Sequence, residues 1–451
     1  MIPSSPTCLQ RAATSILCLL FPLFCVGQSA PTLPDPRAAN SAAIEAVRAG
    51  SRNEASAAWW GFNAEDATEC LQSAIDSGAK KVVVPFMGTE WIVRPIRLRS
   101  NLELVFEPGV VVLAKKGEFR GKGDSLFAAA DAENITLRGY GATLRMRKKD
   151  YQHSPYARAE WRMTLDFTGC RNIAVEGLRI ESSGGDGIYI GATRKQPFCE
   201  NVVIRDVTCH DHHRQGISII SAVNLLIENC ILSGTGGTAP EAGIDFEPNS
   251  PDERLKNCVV RNCTMANNTG AGILVYLNPM SRATEPVSLL FENCLVQGGK
   301  DTAIGVGAIK DDGPQGCIEF RNCTVIGAAG GGVYLYDKSP DSARVRFVNC
   351  SWKDVGMTSA AKKDRHPPLL FDIRRPEKAS SLGGVDFQDC HIYDSMDRPV
   401  LVIEGKKRQS ARDIQGNIAV HSPFAARTRF EPSVENVNLK ILNIPLSQAR
   451  E

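Results

Sequence analysis

Between residues 200 and 393 the chain repeats one short pattern: apolar residues alternating with polar ones, then a polar residue, commonly Asn, then Cys. Seven segments carry it: VVIRDVTCH, LLIENCIL, CVVRNCTM, LLFENCLV, IEFRNCTV, VRFVNCSW and VDFQDCHI, with Cys209, Cys230, Cys263, Cys294, Cys323, Cys350 and Cys390. The period of two predicts short strands, with Leu225, Ile227, Cys230 and Leu232 on one side and Leu226, Glu228 and Ile231 on the other. The unit is constant while the intervals vary, as in a solenoid that places insertions in its loops. An Asn between two strands suits a bend, because its side chain bonds nearby backbone and tolerates left-handed geometry.

After each Cys segment comes a loop and a third short strand, commonly led by Gly: GIYIG (187–191), GISII (216–220), GIDFE (243–247), GILVY (272–276), AIGVG (303–307) and GVYLY (332–336). Three short strands per coil, each pairing with its equivalent one coil on, make an all-β, single-stranded, right-handed parallel β-helix. Coils about 4.8 Å apart would stack the Asn residues into a ladder and the Cys residues into an internal thiol row. Packing is the reading for these cysteines, since spacings of this length bear no relation to zinc motifs.

This unit, with its Asn at the bend, resembles the pectate-lyase and polygalacturonase-like β-helix superfamily. The segment GFNAEDATECLQSAIDSGAKKVVVPFMGTEWIVRPIRLRSNLELVFEPGVVVLAK is similar to that family's N-terminal cap. There an amphipathic helix, here about 66–77 with Ala67, Cys70, Leu71 and Ile75 on one side, closes the open end of the solenoid. The resemblance covers roughly residues 60 to 405 and specifies fold better than reaction.

At the N-terminus Arg11 precedes a mostly apolar run to Val26, which reads as a secretory signal over residues 1–27. Residues 28–59 read as a linker or N-terminal segment, 60–405 as the β-helix, and 406–451 as a C-terminal cap or tail in which VNLKILNI (437–444) is the only strand-like part. With 52 Lys and Arg against 50 Asp and Glu in 451 residues, the formal charge is +2, so no polyanion bias points to nucleic acid. No segment beyond the signal is long and apolar enough to span a bilayer. The expectation is therefore a secreted or periplasmic protein with no membrane contact after cleavage.

Aligning the Gly-led strands gives two outward rows on one face. The first is Tyr189, Ser218, Asp245, Leu274, Gly305, Tyr334; the second is Gly191, Ile220, Glu247, Tyr276, Gly307, Tyr336. Asp245 and Glu247 share this face with Cβ atoms about 6.6 Å apart. Two carboxylates so placed can divide into acid and base or nucleophile, within the glycosidase window of about 5 to 9.5 Å. The preceding coil supplies Asp211, His212, His213 and Arg214; Asp186 and Glu241 stand just before their strands. The long insertion RKKDYQHSPYARAEWR (147–162) is basic and aromatic, suited to a cleft wall that grips an anionic chain.

In the superfamily the resemblance implies a cleft along this face. Asp186 in GGDGI resembles the first acidic element of polygalacturonases, but Arg214-Gln215 stands where their Asp pair would fall and Ala242-Gly243 where Gly-His-Gly would be. The expected activity is cleavage of a glycosidic bond in a polysaccharide or oligosaccharide by a glycoside hydrolase. Asp245, Glu247, Asp211 and Asp186 are the candidate catalytic carboxylates, with His212, His213, Arg214, Tyr189, Glu241 and Tyr276 shaping substrate subsites. No metal site and no required cofactor are expected. The alternative is a polysaccharide lyase or uronate epimerase, which would bring in calcium or Arg214 to neutralise a carboxylate. A further alternative is a non-catalytic glycan-binding solenoid, to which Tyr189, Tyr276, Tyr334 and Tyr336 lend some support.

Overall fold

A computed structural model describes residues 35–357, 366–377, 379–405 and 409–445. The folded body starts at Pro36, and the expected signal segment lies outside the described residues. Each coil carries three strands, one per face of a right-handed parallel β-helix. A representative coil runs Ala222–Glu228, Ile231–Ser233 and Ile244–Phe246, and the next runs Leu255–Arg261, Thr264–Ala266 and Ile273–Tyr276. Pairing is parallel and in register, with Leu225 against Cys258 and then Leu289.

The alternation fixes the core. Inward positions form columns such as Ile217, Ile244, Ile273 and Ile304, all at most 1% exposed. Phe291, Phe320, Phe347 and Phe387 stack with ring centroids 4.8 to 5.3 Å apart. Each such pair adds about 0.5–1.5 kcal/mol beyond the area it buries.

The bends follow the expected chemistry. Asn229, Asn262, Asn293, Asn322 and Asn349 all have φ between 52° and 56° and pass side-chain hydrogen bonds down the stack, Asn322 Nδ2 donating to Asn293 Oδ1 at 3.1 Å. A second ladder, Asn134, Asn172, Asn201, Asn224 and Asn257, runs along the first face. Beneath the bend ladder lie Cys230, Cys263, Cys294, Cys323, Cys350 and Cys390, buried and free, their thiols donating to backbone carbonyls. Cys209 is not among them. Asp206 takes the bend position opposite Asn229, so Val207 occupies the thiol place and Cys209 pairs with Leu232 in the core of the second face.

Two boundary readings change. The stretch read as a linker contains the helix Ser41–Arg48, started by the Asn40 side chain accepting from the Ala43 N–H, and the strand Glu54–Ser56, which pairs with Lys81–Val84. Beyond residue 405 the coils continue: Ser410–Ser422 lies against Ser381–Tyr393, with Ile414, Ile418 and Val420 under Val385, Cys390 and Ile392, and Ser433–Pro445 adds a further strand. The amphipathic helix Thr68–Asp76 buries Cys70, Leu71, Ala74 and Ile75 and lies against the first strands of the stack.

Candidate functional site

The third face carries the two rows expected from the sequence. Parallel register places Asp166, Tyr189, Ser218, Asp245, Leu274, Gly305 and Tyr334 side by side on successive coils. Glycine leads these strands because the backbones meet closely there: a Cβ at Gly216 would lie 2.4 Å from the Gly243 carbonyl oxygen.

Arg214 is the centre of the site. Its guanidinium reaches Asp186 Oδ2 at 3.5 Å with one nitrogen and donates to Glu247 Oε2 at 3.1 Å with another. Asp245 lies close enough for its charge to act on the same cation. Asp245 and Asp186 have no exposed surface, whereas the Glu247 side chain is 26% exposed. Gln215 donates to Asp245 Oδ2 at 2.9 Å and accepts from the Ala242 N–H, while Asp245 Oδ1 has no hydrogen-bond partner. Burial, reinforced by the charge of Glu247, raises Asp245 well above the usual carboxylate range. Burial also pushes Asp186 up to about 7, against the opposing charge of Arg214.

Beside this cluster opens a cavity of about 300 Å³, lined by Trp161, Asp166, Tyr189, Arg214, Glu247 and Asn249, among others. Burial pushes Asp166 up to about 6, with the Ser125 hydroxyl opposing. Burial and the charges of Asp166 and Asp186 push the Tyr189 phenol up, so it stays protonated in the physiological range.

The other candidates are elsewhere. Asp211 accepts from Lys148 Nζ at 2.7 Å and from Ser182 Oγ at 2.9 Å, and lines a separate cavity beside Arg145. Burial raises its pKa, but the bond from Lys148, the charge of Lys148, the bond from Ser182 and the charge of His210 together outweigh that and hold it low. His212 is fully buried, with Nδ1 2.8 Å from Ser183 Oγ, and burial together with the charge of Lys148 pushes it down to about 3. His213 pairs through Nε2 with Thr238 Oγ1 at 2.9 Å, and burial lowers it too. Glu241 accepts from the Gly237 N–H at 2.5 Å. Tyr276 is half-buried on the coil after Glu247, in register with Gly307, over which the Tyr336 ring lies.

Sequence reasoning passed over two residues. Asp166 belongs to the Tyr189 row, and extending the alignment one coil back to MTLDF would have found it. Trp161, 48% exposed at the cavity, closes the long insertion. Of the insertion's basic residues, Arg147 donates to the Ala114 carbonyl, Lys148 binds Asp211 and Arg162 is fully buried, while Lys149 and Arg158 are exposed. Among the described residues no group of three or more His, Cys, Asp or Glu is arranged to hold a metal, and the acids of the site share a guanidinium instead.

A family model for a right-handed beta-helix region matches residues 164–309. Two Bacillus subtilis proteins are similar in sequence: the uncharacterized protein YclG, 29% identical over 206 residues, and the SPbeta prophage-derived uncharacterized protein YorA, 26% identical over 163 residues. These alignments cover 41% and 34% of this chain and 35% and 28% of those proteins, so the chain spans about a third of the length of the curated relatives it matches. Among solved structures, a family 28 exopolygalacturonase of Yersinia enterocolitica superposes with a TM-score of 0.61 at 14% identity, covering 88% of this chain and 79% of that one. The A-module of a mannuronan C-5 epimerase from Azotobacter vinelandii gives 0.58 at 14% identity, over 87% and 100%. The tailspike protein of an E. coli bacteriophage, in complex with a pentasaccharide, gives 0.57 at 13%, over 87% and 78%. The fold is that of the right-handed parallel β-helix superfamily.

Proposed function

We propose that this chain is an exported carbohydrate-active enzyme that hydrolyses a glycosidic bond of a polysaccharide or oligosaccharide. The observation that carries the reading is the pairing of a buried Asp245, on the strand Ile244–Phe246 and with its pKa raised by burial, with a solvent-reaching Glu247 just past that strand's end, lining an open cavity. In the mechanism this arrangement supports, Asp245 gives its proton to the leaving oxygen while Glu247 acts as base or nucleophile. A carboxyl kept neutral by its surroundings next to one that reaches solvent is how an acid and a base coexist at neutral pH. Asp245 has no exposed surface, so it reaches a bound glycosidic oxygen only when the side chains covering it move.

The second reading, elimination or epimerisation at a uronic acid, is favoured by the presence of Arg214 in the cavity, since a guanidinium can fork a uronate carboxylate. Two features weigh against it. Arg214 is already shared by Asp186 and Glu247, and the bases it would need are unsuited: Tyr189 has a raised pKa, while His212 and His213 are bonded away from the cavity. The test is incubation with plant, algal and bacterial polysaccharides, following reducing ends and the absorbance of unsaturated uronates. Reducing ends without absorbance are expected. Absorbance, suppressed by a chelator, would move the reaction to a calcium-dependent lyase.

A further inference from the structure

We infer that the cavity takes an uncharged pyranose ring of the glycan, stacked on Trp161, and rejects a uronate at that position. This deepens the hydrolase reading and rests on it for the identity of the site. Three observations carry it.

First, Trp161 is a large exposed aromatic at the cavity, 48% exposed, while Trp59, Trp91 and Trp352 are buried. It is also held in place. Its neighbour Arg162 is fully buried without a carboxylate partner, donating Nε to the Phe119 carbonyl at 2.8 Å and Nη2 to the Ala157 carbonyl at 2.7 Å. The same guanidinium lies 5.3 Å from the Tyr151 ring centroid and 5.9 Å from that of Tyr156, and Tyr156 Oη accepts from the Gly117 N–H. An unpaired buried cation is costly, and here it joins the insertion to the 117–120 loop. The exposed ring next to it is thereby presented with little freedom to lose on binding.

Second, the charge around the cavity is wrong for a uronate. Of the residues that line it, Arg214 is the one cation, against Asp166 and Glu247, and Arg214 already serves Glu247 and Asp186. A carboxylate entering here would leave water to face two acids, Asp166 and Glu247, against one cation that already pairs with Glu247 and Asp186, and like charge in a confined space discriminates strongly. Third, none of the insertion's basic residues lines the cavity: Arg147, Lys148 and Arg162 are committed to internal contacts, and the exposed Lys149 and Arg158 lie outside the lining. The remaining surface, with Tyr189, Met163, Ile220, Thr168 and Asn249, offers apolar faces and neutral polar groups, which match the alternating apolar face and hydroxyl edge of a neutral sugar.

The experiment measures binding of two probe series to the full-length folded chain by tryptophan fluorescence: neutral gluco-, galacto- and manno-oligosaccharides, and oligogalacturonates and oligomannuronates. One neutral series is expected to shift the emission and bind at least tenfold more tightly than either uronate series, consistent with the cost of burying a like charge. Trp161→Ala should abolish the shift and weaken binding roughly tenfold, the scale of one aromatic contact. In Glu247→Gln the neutral ligand should still bind, now without turnover. Tighter uronate binding that falls as NaCl rises, binding unchanged in Trp161→Ala, or no shift from any neutral series would each overturn the inference. The two readings fail separately. Hydrolysis at full rate in Glu247→Gln with binding still lost in Trp161→Ala removes the catalytic pair and keeps the stacking site, whereas Glu247-dependent cleavage of a uronan does the reverse.

Discussion

Replacing Arg214 by Met removes the cation that Asp186, Asp245 and Glu247 share while keeping much of the aliphatic stem. In a buried ion pair, loss of one partner costs about 3–5 kcal/mol because the other is left uncompensated. Here the Arg214 side chain is 16% exposed and Glu247 26%, which places the cost near the lower end, about 3 kcal/mol at pH 8. The sign with pH follows from the acids. Asp186, pushed up to about 7, and Asp245, raised well above its usual range, hold protons in the fold that the unfolded chain releases near pH 4, so each contributes stability that falls as pH rises from 4 toward the folded pKa. Without Arg214 their pKa values rise further, each unit costing about 1.4 kcal/mol once the pH exceeds them. At pH 5 Asp186 is protonated with or without the guanidinium and Asp245, raised well above its usual range, shifts in the same direction, so the loss shrinks to about 1 kcal/mol or less. For a chain of this size about 1 kcal/mol moves Tm by roughly 1 °C, so the melting point should drop about 3 °C at pH 8 and no more than about 1 °C at pH 5. Thermal melting of both proteins at the two pH values is the assay. An equal drop at both, or a larger one at pH 5, would refute the shared-cation argument.

Other elements give independent tests. Asn262→Ala forfeits two ladder hydrogen bonds and the local bonding by which Asn tolerates the left-handed φ of 54°, which should cost about 2 kcal/mol in melting experiments, with Asn262→Gly recovering part; equal losses would remove the backbone component. Lys338 is fully buried, donates to the Gly383 carbonyl at 2.9 Å, and burial pushes it down to about 7. Because the unfolded chain then binds the extra proton between about pH 7 and 10.5, wild type should gain stability relative to Lys338→Met as pH rises through that window, and a flat difference would contradict the burial. Of the twelve described cysteines Cys317 is the one not fully buried, so a thiol reagent should label about one site in the native protein and the rest only after denaturation. Rapid native labelling of several would contradict the packed thiol row.

The coils were legible in the sequence because alternation and bend chemistry are local: each Asn-Cys pair marks a turn and each leading Gly marks the phase of an outward row. The reading slipped where another residue did the same work. Asp206 replaces Asn and shifts Cys209 by two positions, and the coils after 405 keep their apolar alternation but drop the Asn-Cys mark. The site was half legible. Rows follow from phase, so Asp245 and Glu247 could be put on one face, but the holding of Asp245 by Gln215 and of Glu247 by Arg214 depends on loop side chains that no period predicts. His212 and His213 looked like cleft residues by proximity in the chain. The left-handed turn at Asp211, φ 58°, instead sends them to Ser183 and Thr238.

The central claim is tested most directly by comparing release of reducing ends by wild type, Asp245→Asn and Glu247→Gln on whichever polysaccharide the wild type cleaves. Asn is close in shape to the protonated Asp245 it replaces, so the fold should survive. Each variant should lose about 10²–10⁴ in rate, the usual contribution of a positioned acid or base, while melting within a few degrees of wild type. Full activity in both folded variants would contradict the assignment of these two carboxylates as the acid and its partner.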